Sequence, residues 1–411
     1  MVKRLRRGLL SALLALLLVT AGNSDFRPST VDLTISPYKY SLVRWEVSNF
    51  MDKWVRQVWT LLPWNPKVDR ERRNALAQEF FTLGQQAAEL ERQLGIPSTG
   101  SGSLLSEDEA RSARSEVLRV AQRRSKIRPL VEQAIEAEIS AVLAQEGFAS
   151  RIGFIFPPVD TVFTSSPGVL VLSPRERIFR QKTVLLAPGI GDEERNRIED
   201  RLFFEENLSA LVEDTGGVAV YPSVVSDSGR LHHAVVIAAH EWLHHWFFFH
   251  SLGQHFWDSS DMTTLNETAA TIGGEEIGDR AFTAMTGETV VRDSNASGPQ
   301  DPDAFDYDKA MRQTRMRTEE LLGQGKILEA EAYMEERRQT MVANGFLIRK
   351  INQAFFAFHG SYAANPASIS PINDQLKVLR NRSASLEEFL NTVAGFGSYR
   401  EFLDHLELGR E

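Results

Sequence analysis

The stretch Leu231-His232-His233-Ala234-Val235-Val236-Ile237-Ala238-Ala239-His240-Glu241-Trp242-Leu243-His244-His245-Trp246-Phe247-Phe248-Phe249-His250 decides how this chain is read. Between Leu231 and His250 no proline occurs, and Glu241 is the one carboxylate. A run this long and this apolar predicts a helix through the centre of a domain, from about Gly229 to His250. Residues at i and i+4 stack on one helical face, so His240 and His244 can aim an imidazole nitrogen at a common point. Glu241 stands beside them. A buried carboxylate without a partner costs several kcal/mol, and a nearby dication would relieve that cost. Seven of the nine histidines fall between His232 and His255. His245 follows His244 and faces about 100° away, so it cannot share the same ion. Trp242, Trp246, Phe247, Phe248 and Phe249 are expected to fill the core.

Zinc requires a third protein ligand and an open position. The chain has no cysteine, so the donor must be His, Asp or Glu. The candidate is Glu267, in Leu265-Asn266-Glu267-Thr268-Ala269-Ala270, 23 residues past His244. That interval lets the first helix end, a loop turn back and a second helix start at Ser260 or Asp261. Ala269, Ala270, Gly273 and Gly274 would allow the two helices to approach closely. Asp261, Glu275 and Glu276 compete as ligands in less suitable surroundings.

A His-Glu-x-x-His helix followed by an Asn-Glu helix resembles the gluzincin superfamily of zinc metallopeptidases, which includes thermolysin-like and aminopeptidase-like enzymes. The resemblance covers roughly residues 150–365. It implies Zn2+ as cofactor, with His240, His244 and Glu267 as ligands and Glu241 as general base in metal-assisted hydrolysis. The segment from Ile351-Asn352-Gln353-Ala354 to His359-Gly360-Ser361-Tyr362 resembles a helix of bacterial putative aminopeptidases. By that likeness Tyr362 and His359 are the candidates to steady the oxyanion. Two features depart from the pattern. No Gly-x-Met-Glu-Asn element is present, which withdraws one route to exopeptidase activity. Thr271 stands where thermolysin-like enzymes carry an aspartate that orients a histidine ligand, so Asp261, Glu275 or Glu276 would have to serve. The resemblance also implies that an extended peptide pairs with a strand edge near Val218 to Tyr221.

Outward from this centre, the composition is that of globular material: 411 residues, 42 % hydrophobic and 25 % charged. A formal charge of −9 speaks against nucleic acid as a partner. Lys3, Arg4, Arg6 and Arg7 precede the apolar run Gly8 to Ala21, which reads as a signal peptide or membrane anchor over residues 1–24. The rest of the chain is then expected to be exported or membrane-anchored, with its catalytic part outside the cytoplasm and membrane association through the N-terminus. Residues 25–68 read as a linker and a Trp-rich amphipathic helix bearing Trp45, Trp54 and Trp59. Residues 69–149 read as a helical arm, Asp69 to Leu94 and Ser106 to Gly147, with a capping box at Ser106 and Glu109.

After Ser150 short β-prone runs follow at Ile152 to Phe156, Val169 to Leu172, Thr183 to Leu186 and Val218 to Tyr221, interrupted by a helix from about Asp192 to Glu213. Residues 150–290 are the expected zinc core and 291–411 a helical C-terminal subdomain. The fold class expected is α+β, a thermolysin-like catalytic domain with a small mixed sheet, an active helix and a helical C-terminal half. Its substrate would be a peptide or protein. Two rival readings carry the same residues: a non-catalytic metal-binding envelope scaffold, and a zinc hydrolase of non-peptide amides.

Overall fold

The computed structural model describes residues 29–46, 48, 49, 53, 68–95, 106–291 and 305–408. The expected signal or anchor segment lies outside these residues, as do Trp54 and Trp59. No helix among the described residues is long and apolar enough to cross a membrane.

The chain folds as a mixed α+β protein with two small sheets. In order, the elements are α1 (Thr30–Ile35), α2 (Arg70–Gln93), α3 (Glu107–Gln145), β1 (Thr161–Thr164), β2 (Gly168–Pro174), β3 (Lys182–Leu186), α4 (Asp192–Glu206), β4 (Leu208–Asp214), β5 (Gly217–Val218) and β6 (Ser223–Ser226). Then come α5 (Leu231–Phe248), α6 (Ser251–Gln254), α7 (Ser260–Thr286), α8 (Tyr307–Gly323), α9 (Ile327–Ala343), α10 (Gln353–His359), α11 (Ile372–Arg382), α12 (Leu386–Ala394) and α13 (Tyr399–Leu408).

One sheet is antiparallel with strand order β3-β2-β4, and the other runs β1-β6-β5 with β1 and β6 parallel. Strand β2 explains why Val169 to Leu172 is continuously apolar. Val169 and Val171 pack towards α8, α9 and α10, while Leu170 and Leu172 pack towards α1 and α4. A strand covered on both faces carries no polar alternation.

Helix α5 runs through the largest core, flanked by α2, α3 and α7. The two long N-terminal helices therefore differ from the expected arm. Leu76, Phe80 and Phe81 of α2 and Ile127, Val131, Ile135 and Ile139 of α3 belong to the same cluster as Val235, Trp242 and Leu243 of α5. The boundary drawn at residue 149 cuts through a continuous core. The capping box at Ser106 and Glu109 is present. Beyond it, Glu107 to Arg119 reach past the core and meet α2 through a small cluster of Leu94, Ala110 and Ala113.

Three further expectations are corrected. The helix predicted to Glu213 stops at Glu206, because Asn207 adopts the left-handed conformation (φ 55°) and β4 begins. Ile152 to Phe156 is no strand. It is a turn with one bridge between Ala149 and Ile155, and its apolar alternation points Ile152, Phe154 and Phe156 outward. Of Val218 to Tyr221, Val218 alone belongs to a strand, paired with Val224. The strands β1, β4 and β6 were not anticipated.

The N-terminal segment is tied down at three places. The Tyr40 N–H donates to Leu185 O at 3.0 Å, and Trp45 Nε1 donates to Pro222 O at 3.4 Å. Lys53 is buried between Glu136 and Asp160, with its Nζ 2.5 Å from Asp160 Oδ1. Burial alone would discharge Lys53, but Glu136, Glu132 and Asp160 outweigh it and keep the ammonium charged.

Candidate metal centre

Helices α5 and α7 make the closest helix pair around the site. A Cβ placed on Gly274 would lie 2.9 Å from the His240 Cα, and one on Gly278 would lie 2.6 Å from the Val236 Cα. Only glycine lets the backbones approach this far. Helix α7 starts as expected at Ser260, where the Ser259 hydroxyl accepts from the Met262 N–H at 3.1 Å.

This approach brings His240, His244 and Glu267 together. Their ligand atoms all lie within 4.8 Å of one another. The two Nε2 atoms are 3.0 Å apart, and Glu267 Oε2 lies 3.6 Å from His240 Nε2 and 3.4 Å from His244 Nε2. Tetrahedral zinc with Zn–N of 2.0–2.1 Å holds neighbouring donors about 3.3 Å apart. Glu267 Oε2 is fully buried and has no hydrogen-bond partner. A carboxylate oxygen orphaned in this way, facing two imidazole nitrogens, suits a cation between the three groups. The donor set of two histidines and one carboxylate, with space beside it, is the composition of an open zinc site.

His244 is oriented by a residue not anticipated. Its Nδ1 lies 2.9 Å from Asn266 Oδ1, which leaves Nε2 turned towards Glu267. The role was legible only as the Asn preceding Glu267. The three acidic residues proposed for such a role are placed as follows. Glu276 forms a bidentate pair with Arg380 at 2.8 and 2.9 Å, Asp261 is exposed in the first turn of α7, and Glu275 faces the cleft.

The charges in this cluster are strongly coupled. Burial pushes His244 towards neutrality, but Glu267 and Glu241 overcome it and hold the imidazole up to about 9. Burial acts on Glu267 the other way, yet His244 and His240 keep its carboxyl well below the usual range. Glu241 is raised, by burial first and by Glu267 as well, against the pull of the two histidines. Its Oε1 would sit 2.6 Å from a Cβ on Gly217, so β5 passes directly against this carboxylate.

Tyr362 and His359 reach the same cleft. The Ala363 N–H donates to Thr268 Oγ1 at 3.1 Å, which fixes the residue after Tyr362 to the residue after Glu267. The charge of Glu267, then burial and Glu241, keep the Tyr362 phenol protonated. His359 packs with its ring tilted against Phe355 at 4.4 Å, its buried Nε2 has no partner, and burial depresses it to about 4. His245 faces Tyr221, away from the cluster as expected, and burial lowers it to about 4.

The cleft around these groups has a volume of about 1360 Å³. Arg180, from the β2–β3 hairpin, is the guanidinium on its wall. Two aromatics expected in the core stand here instead. Trp242, Trp246 and Phe247 are buried, whereas Phe248 and Phe249 are exposed at the cleft mouth. Helix α5 ends at Phe248, so the core-facing stripe no longer governs where these rings point.

No protein-family model, no curated protein and no solved structure matches the chain.

Proposed function

We propose that this chain is a zinc metallopeptidase of gluzincin type, hydrolysing peptide bonds in the cleft beside His240, His244 and Glu267. The observation that carries the reading is the buried Glu267 Oε2, unpartnered and 3.4–3.6 Å from two converging imidazole nitrogens, with a second buried carboxylate, Glu241, beside them. A zinc ion held by the three would supply Lewis acidity and bring a water pKa down to about 7.

The chain's own residues provide the remainder. Glu241, raised by its burial, is poised to take a proton and return it to a leaving amine. Tyr362 keeps its proton and can donate it in a hydrogen bond to charge developing on a carbonyl oxygen, an effect of about 2.7–4 kcal/mol per donor. His359, neutral above about 4, has its Nε2 available for a second such bond. Gly217 and Val218 offer an edge strand along the cleft for an extended substrate backbone. The apolar walls exclude water, which strengthens each of these interactions.

The test is metal content by mass spectrometry on the full chain and on His240→Ala and Glu267→Gln, followed by a peptide-library digest with Glu241→Gln as control. The reading expects about one zinc per chain, sharply reduced in both ligand variants, and cleavage abolished in Glu241→Gln while its zinc remains. Zinc-free protein after reconstitution would overturn it. Full zinc with no peptide cleaved would move the assignment to a metal-bound scaffold or to non-peptide amides.

A further inference from the structure

The mouth of the cleft carries an unusual amount of exposed apolar side chain. Ile152, Phe154 and Phe156 project from the connection between α3 and β1, Phe248 and Phe249 from the end of α5, and Trp257 from the turn before α7. Ile152 is 90 %, Trp257 77 % and Phe248 65 % exposed. The side chains form one rim. Phe156 and Phe249 have ring centroids 4.9 Å apart, Phe249 continues to Phe248 at 5.3 Å, and all but Ile152 border the same cleft. Soluble monomers rarely leave contiguous apolar surface of this kind uncovered.

The aromatic chemistry of the rim suits a lipid interface. The apolar groups project at separate tips around the mouth of the cleft. Phe and Trp at such tips suit the boundary between headgroups and acyl chains. Arginines lie among them. Arg180 sits over the Trp257 ring at 5.7 Å and Arg177 over Phe179 at 4.8 Å. Arg151, Arg177 and Arg180 lie on the same loops, where they can meet anionic headgroups.

A second observation comes from where the chain enters the fold. Asp32 approaches Lys182 at 3.9 Å, and Tyr40 pairs with Leu185, which borders the cleft. Residues 29–40 therefore run beside the hairpin that carries Phe179 and Arg180. Residues 22–28 separate this point from the apolar run ending at Ala21. Seven residues extended span about 25 Å. A membrane-held N-terminus would keep this hairpin within that distance of the bilayer.

We propose that the rim is a bilayer-docking surface, so that the cleft opens onto the membrane face. The inference goes beyond the peptidase reading and does not depend on it.

The absence of cysteine allows a direct test on the full chain. Single cysteines replace Phe154, Phe248 or Trp257, and Leu347, which is 99 % exposed on a loop that does not line the cleft, serves as control. Each carries an environment-sensitive nitrobenzoxadiazole probe and is mixed with vesicles of phosphatidylcholine and phosphatidylglycerol containing a spin-labelled quencher lipid. The proposal expects a blue shift and severalfold stronger quenching at the three rim positions than at Leu347. Rim probes left unquenched on vesicle-bound chain would overturn it, since the N-terminus alone would then account for binding. A blue shift that grows with protein concentration in the absence of lipid would also overturn it and assign the rim to a second copy. Zinc content is read separately, so failure of this surface and failure of the metal site are distinguishable.

Discussion

Asn266 Oδ1 accepts from His244 Nδ1 across 2.9 Å, and the next residue in the same helix is Glu267. One turn of α7 thus both orients one imidazole and supplies the carboxylate that faces it. Asn266 is itself buried, and its Nδ2 donates to Leu252 O at 3.4 Å, so the amide cannot turn round.

Asn266→Ala should lower zinc affinity about 10–100-fold, the usual cost of losing a group that orients a ligand. Competition with a chromophoric chelator measures it. Asn266→Asp keeps an acceptor at the same place and should recover most of the loss, and equal affinity in Asn266→Ala and wild type would remove Asn266 from the site.

Gly278→Ala should destabilise the fold by about 1–3 kcal/mol, because its Cβ would meet Val236 Cα at 2.6 Å and the helices must part. Urea unfolding reads this. Gly274→Ala, against the His240 backbone at 2.9 Å, should in addition lower the zinc content at temperatures where the variant remains folded. Unchanged midpoints in both would show that α5 and α7 do not depend on this approach.

Zinc binding should release protons. His244 is held up to about 9 in the metal-free protein, and an imidazole must be neutral to act as a ligand. At pH 7.5 the cation must therefore lose its proton on binding, and affinity should fall as pH drops, by about tenfold per unit from this group. Calorimetry in buffers of different ionisation enthalpy counts the protons. A heat independent of buffer would contradict a charged His244.

His359 sets a separate dependence on acid. Its folded pKa is about 4, against about 6.5 for an unfolded histidine. Between those values the unfolded chain binds more protons, so stability is intact above pH 7 and is lost as pH falls through the window. The full loss is about 3 kcal/mol at the acid end. Denaturant midpoints at pH 7 and pH 5 should differ less for His359→Gln than for wild type, and identical differences would mean that His359 protonates without penalty.

Much of the site was legible along the chain. The i, i+4 histidines, the lone carboxylate in an apolar helix and the Asn-Glu pair opening a small-residue helix are local patterns, and the structure brings His240, His244 and Glu267 together. The long helices were readable from their charged helical pattern and, for the second, from the capping box at Ser106. Failures occurred where periodicity had no single meaning. Leu208 to Asp214 continues the apolar spacing of α4 but becomes a strand covered on both faces, turned by the left-handed Asn207. Ile152, Phe154 and Phe156 alternate like a strand, yet no neighbour pairs with them along their length.

The sequence by itself determined which helices form and which side chains share a face, because hydrogen bonds and side-chain periods within a helix act over four residues or fewer. Only the tertiary structure decided that Asn266, not a carboxylate, holds His244, that Thr268 fixes the Tyr362 loop beside Glu267, and that Phe248 and Phe249 leave the core for the cleft mouth. Those outcomes depend on contacts between residues 22 and 95 positions apart and on where each helix ends against its neighbours. No local spacing encodes them.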